Sequence, residues 1–119
     1  MPDARHGAGL EARAGAVFDA LADPTRRTVL RTVAEHGPVT ATQIAATLPV
    51  TRQAVAKHLD ALRDVGLVAR ERVGRDVRFS FDPAPLDGAV EWITAVGANW
   101  DRRLATLQER VKLPPFRRP

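Results

Sequence analysis

The chain contains no cysteine. That single absence removes disulfides, thiolate metal sites and cysteine nucleophiles. Serine occurs once, as Ser80, and histidine three times, as His6, His36 and His58. So scattered, these assemble no nucleophile–base pair, and no enzyme is expected. No apolar run approaches the length of a membrane span, and the first residues lack the apolar core of a signal peptide. The expectation is a cytoplasmic protein with no membrane partner. Lysine is almost missing: Lys57 and Lys112 are the only two. The excess of 18 basic over 14 acidic residues is therefore carried by arginine. Arginine suits bidentate contacts to phosphate and guanine, although a GC-rich coding sequence also inflates arginine and alanine. No internal repeat or low-complexity segment is visible.

What remains is enough for one domain. The chain has 119 residues, 45% of them hydrophobic, so its core is small and a second subunit is a natural place to bury more. The organising stretch runs from Thr40 to Arg63. Thr40 is a good N-cap, Gln43 stands three residues on as in a capping box, and Ile44 and Leu48 share a face. Pro49 stops that short helix. Thr51 caps a second, in which Val55, Leu59 and Leu62 form the buried stripe. Arg52, Gln53, Lys57 and His58 are left near its opening. A short helix, a turn and a second helix with a basic opening is what a helix-turn-helix needs to enter the major groove.

Before this stretch, residues 1–9 read as a frayed tail. A helical stripe then begins, with Leu10, Ala14, Val17 and Leu21 in line and Phe18 widening it. Asp23-Pro24 ends that helix and starts the next, with Asp as cap and Pro at the first helical position. His36-Gly37-Pro38 stops it, and a left-handed glycine cap is expected at Gly37. After the helix-turn-helix, Gly66 closes the long helix. Residues 67–73 and 77–81 read as strands, joined by Gly74-Arg75, a pair suited to a type II′ hairpin. Val77, Phe79 and Phe81 share one face of the second strand. Arg70, Arg72, Arg75 and Arg78 make the hairpin a basic wing. Residues 51–80 hold seven basic and four acidic side chains, so most of the net charge of +4 is concentrated there. A solvated charged hairpin is the plainer alternative.

In the last helix, Val90, Ile93, Gly97, Trp100, Leu104, Leu107 and Val111 recur at 3 and 4 residues, a heptad seam. Asp87 can cap this helix. Together with Leu10, Ala14, Val17, Phe18 and Leu21, the seam is expected to form a dimer interface, with packing inside one chain as the alternative. The domain is expected over 10–113, its dimerisation helix over about 86–112, with a basic tail at 114–119. The fold class is mainly α with a small β-hairpin: a winged helix-turn-helix, dimeric through its first and last helices.

Leu21-Ala22-Asp23-Pro24-Thr25-Arg26-Arg27, Val55-Ala56-Lys57-His58-Leu59 and Leu62-Arg63-Asp64-Val65-Gly66-Leu67-Val68 stand in an order that resembles the ArsR-type winged-helix regulators, from about Ala14 to Phe81. The resemblance implies a homodimeric regulator of transcription, usually a repressor, that binds double-stranded DNA with its recognition helix and wing. On that footing the opening of the second helix, at Thr51, offers free N–H groups to a phosphate. Arg52 and Gln53 reach base edges, as Arg to guanine and Gln to adenine. Lys57, Arg70, Arg72, Arg75, Arg78 and the flanking Thr40 position the protein on the backbone. His58 either joins them or contacts a neighbouring side chain. Metal-sensing members carry Cys in the first helix of the helix-turn-helix or Asp, His and Glu sets on the last. Here Gln43-Ile44-Ala45-Ala46 offers no ligand, and Asp87 and Glu91, four residues apart, read as complements to a helix dipole, with a carboxylate-only site as the alternative. No metal and no cofactor are expected. The metal-free members leave room for a small hydrophobic effector near Phe18, Trp92 and Trp100. Protein–protein assembly and non-specific DNA binding are the competing functions of the same fold.

Overall fold

The computed structural model describes residues 4–111. Its elements run α1 (Ala4–Ala20), α2 (Pro24–His36), β1 (Val39–Thr40), α3 (Ala41–Thr47), α4 (Arg52–Asp64), β2 (Val68–Val73), β3 (Asp76–Phe81) and α5 (Ala84–Val111). The tail expected at 114–119 lies outside the described residues, as do residues 1–3. Within the other expected tail the backbone is already helical, since α1 starts at Ala4, well before Leu10.

Local signals explain most element ends. Asp23 caps α2 by accepting from the Arg26 amide at 3.0 Å, and Pro24 opens the helix without wasting a donor. Thr40 and Gln43 form the reciprocal capping box of α3: the Thr40 amide donates to Gln43 Oε1 at 2.9 Å, and the Gln43 amide donates to Thr40 Oγ1 at 3.1 Å. Thr51 caps α4 by accepting from the Ala54 amide. At the other end of α4 the Leu67 amide reaches the Leu62 carbonyl and the Gly66 amide reaches the Arg63 carbonyl, both at 2.9 Å. That is the Schellman pairing, and it needs the left-handed backbone that Gly66 supplies at φ +80°. Leu62 and Leu67, its apolar partners, are fully buried.

Two ends differ from the sequence reading. Gly37 is extended, at φ −66° and ψ 154°, rather than left-handed. Glycine is required there for space: a Cβ would sit 2.6 Å from the Val33 carbonyl oxygen and 3.2 Å from that of Phe79. Asp87 lies inside the first turn of α5 rather than capping it. The carboxylate at the helix opening is Asp82, which accepts from the Ala84 amide at 3.0 Å.

The sheet has three antiparallel strands in the order β1-β3-β2. The hairpin pairs Val68 with Phe81 through Val73 with Asp76, and Gly74 takes φ +63° in the two-residue loop. The extra strand, β1, pairs Val39 with Phe79 and Thr40 with Arg78. Two residues are too short to show a period, so their pairing was invisible in the sequence. The core gathers Val29 and Val33 from α2, Ile44 from α3, Val55, Leu59 and Leu62 from α4, and Phe79 from β3.

Helix α1 buries part of its apolar stripe inside the single chain. Ala14 and Val17 are 1% and 2% exposed within the single chain, and Phe18 and Leu21 pack against the same core. Ala14 and Val17 are thus covered within the single chain, and Phe18 and Leu21 partly so. An amphipathic stripe shows that a helix must be covered, and it does not show by what.

Candidate nucleic-acid interface

Helix α4 turns Val55, Leu59 and Leu62 inward. The opposite face is then fixed by the 3.6-residue period. It carries Gln53, Ala56, Lys57 and Asp60, all exposed, at i, i+3, i+4 and i+7. That spacing lets one helix address successive bases in a major groove. Arg52 stands on the flank. It looks across a groove of about 620 Å3 whose walls include Thr40 and Gln43 at the head of α3, Ala56 and Asp60 of α4, and Arg70 and Arg75 of the hairpin. Three arginines from two elements therefore border one cleft beside the exposed face of α4.

The strand register sorts the wing. Arg70 opposes Phe79 and Arg72 opposes Val77, so both share the face of the inward apolar residues. Arg72 also donates from Nε to the Gly74 carbonyl at 3.4 Å. Arg78 opposes Glu71 and Thr40 on the other face, and its guanidinium stands 3.7 Å from Asp76. The four wing arginines expected to act together are thus split: Arg70 and Arg75 line the cleft, whereas Arg78 does not line it but stands 3.7 Å from Asp76, which does. The sequence alternation was visible, but only the register tells which strand face meets which.

His58 is also placed elsewhere. It is half-buried, and its Nδ1 is buried with no hydrogen-bond partner. It stands close enough to Asp23 to act on that carboxyl's charge. His58 therefore stands beside Asp23 and outside the exposed face of α4. Asp23 itself is held below its ordinary carboxyl range, first by the hydrogen bond from the Arg26 amide and then by the charge of His58, with burial opposing. A lowered folded value means that this cap stabilises the fold above the ordinary value of about 3.8, and that the contribution is lost as pH falls through the lower folded value. Asparagine caps equally well and does not titrate. Asp23→Asn should match the parent in urea midpoint at pH 7 and lose less of it by pH 3. A parallel loss in both proteins would show that Asp23 has no part in acid sensitivity.

On α5, Val90, Ile93, Trp100 and Leu107 are 59%, 54%, 53% and 51% exposed. Gly97 and Leu104 are partly covered, and the Val111 side chain lies outside the described residues. Leu86 and Ala89 instead face the domain, and Trp92 meets Phe18 edge to face with ring centroids 5.5 Å apart. Phe18 and Trp92 pack on each other, and Trp100 is more than two turns further along the helix and exposed. Among the described residues, no helix is long and apolar enough to cross a membrane.

Comparison with known proteins decides the family. Residues 21–71 match the family model described as a helix-turn-helix domain. An HTH-type transcriptional regulator of Bacillus subtilis, YuzN, is 38% identical over 85 residues, covering 66% of this chain and 92% of its own. The transcriptional repressor SdpR of the same organism is 29% identical over 77 residues, covering 65% and 84%. Among solved structures, an ArsR-like transcriptional regulator from Rhodococcus sp. RHA1 superposes with a TM-score of 0.77 at 40% identity, covering 85% of this chain and 94% of its own. The chain belongs to the ArsR-type transcriptional regulators. Its α3–α4 unit is the family's helix-turn-helix, α4 is the recognition helix, and the β2–β3 hairpin is the wing. An ArsR-type regulator binds DNA, so the exposed face of α4 and the arginine-bordered cleft are the parts of this chain suited to that task.

Proposed function

We propose that this ArsR-type regulator is a sequence-specific repressor that acts in the cytoplasm as a homodimer on a pseudo-palindromic operator, and that it is not an enzyme. The observation that carries the reading is the face Gln53, Ala56 and Lys57 beside the cleft bordered by Arg52, Arg70 and Arg75. One face can read bases while the other clamps the backbone. Repression is supported by likeness to SdpR, whose name states that activity. Dimerisation is supported by the bare stripe on α5. Four large apolar residues at heptad-like spacing are uncovered in one chain, and a twofold copy covers them with the same residues. Two recognition helices then meet half-sites about one helical turn apart.

The test is fluorescence anisotropy against the DNA upstream of the coding sequence and a scrambled duplex, over a salt series. Nanomolar binding with at least about a thousandfold preference is expected. Equal binding to both duplexes that vanishes with salt would overturn the reading. In the same series, Arg75→Ala should weaken binding to all sequences and lower the salt slope by about one. Arg78→Ala should lower the slope less, because that guanidinium does not line the cleft and is drawn to Asp76 at 3.7 Å. A slope that falls equally in both variants would return Arg78 to the contact surface.

A further inference from the structure

We propose that Asp60 is a specificity-determining residue of the recognition helix, whose carboxylate accepts a hydrogen bond from a cytosine amino group in the major groove. The proposal rests on the DNA-binding reading above.

Asp60 is the one acid on the exposed face of α4 that also lines the arginine cleft. It stands at i+7 from Gln53 and i+4 from Ala56, directly opposite the buried stripe. A carboxylate at this place cannot touch phosphate without repulsion, and it has no proton to donate. Its nearest cation is Arg63, at 3.8 Å, with both side chains largely open to water. That distance is long and the pair exposed, so it ties the carboxylate down only weakly. What the major groove offers an acceptor is an exocyclic amine, and the aspartate partner among the bases is cytosine N4. Gln53 and Asp60 are separated by seven residues, about 10.5 Å along the helix axis. At about 3.4 Å per base pair, that is close to three steps of duplex for a helix lying along the groove.

The carboxylate also acts against wrong sites. Where no amine meets it, it faces a polyanion unpaired, and binding there is penalised. Arg52, Arg70 and Arg75 draw any duplex into the cleft, and Asp60 makes the final docking depend on one base.

The experiment is selection of bound duplexes from a random pool by the full chain and by Asp60→Ala, Gln53→Ala and Asp64→Ala, followed by titration of each protein with the parent's selected duplex, its cytosine-replaced version and a shuffled duplex. The parent is expected to select cytosine at symmetry-related positions and to prefer it about tenfold or more. Asp60→Ala should lose that preference alone, about three base pairs from the position loosened by Gln53→Ala, and should bind the shuffled duplex several-fold tighter. Asp64→Ala, at the last residue of the helix, should leave the selected sequence unchanged. Identical selected sequences from the parent and Asp60→Ala would overturn the proposal while leaving the regulator reading intact, as would a uniform loss at all positions. A parent that selects no sequence would overturn both. Matching melting midpoints confirm that the exposed substitutions leave the fold in place.

Discussion

Ile93→Asp should turn the protein into a monomer with its helices intact, and its affinity for a two-half-site operator should fall by about a hundredfold or more. Ile93 lies at the middle of the uncovered stripe on α5 and is 54% exposed in the single chain. A charge there meets water while the chain is alone, so folding is little disturbed. Across a twofold seam the same position faces apolar side chains, where a buried unpaired carboxylate is costly. Loss of the second subunit removes the linkage between half-sites, which is worth roughly a hundred- to ten-thousandfold. Sedimentation velocity would read the mass, circular dichroism the helices, and titration of full and half operators the affinity. A variant that remains dimeric would move the interface off this stripe.

Leu59→Ala should be among the most damaging single truncations for stability. Leu59 is 0% exposed and lies on the inner face of the recognition helix, within the cluster that also holds Val29, Val33 and Ile44. Truncating a buried leucine costs about 2–5 kcal/mol, through lost transfer energy and the cavity left behind. In a domain of this size that lowers the melting midpoint by roughly 10–20 °C. Binding should fail in step with unfolding, because the exposed face of α4 is held in place only by its buried one. A loss under about 1 kcal/mol would mean that neighbours collapse into the space.

The two substitutions act on opposite grounds, and both grounds were partly legible in the chain. The capping box of Thr40 and Gln43, the Asp23-Pro24 entry and the Thr51 cap are local devices, complete within four residues, and each is found as its residues imply. The stripe Val55, Leu59 and Leu62 named the buried face of α4, and by subtraction its exposed one. What failed depended on partners distant in sequence. Strand β1 is defined by Phe79 and Arg78, some forty residues away. Gly37 is confined by the Val33 carbonyl one turn back and also by the Phe79 carbonyl across the sheet. The placement of Arg78 waited on register, and that of His58 on the proximity of Asp23. Ala14 and Val17 had the pattern of a helix to be covered, and the cover turned out to be their own domain.

Those two residues of β1 set a mechanical condition on the molecule. Val39 and Thr40 are bonded to the central strand of the wing, and Thr40 is at the same time the cap of α3. The wing is therefore tied to α3 by strand pairing, and both share a core with the reading helix α4, so the three form one lever. A disturbance at α5 that slid the wing against α3 would have to break this pairing. In the proposed dimer, rotating one whole lever against the other keeps the pairing intact and alters the span between the two tips. Any signal this protein answers would then be transmitted as a change of stride along the duplex, with each foot keeping its shape.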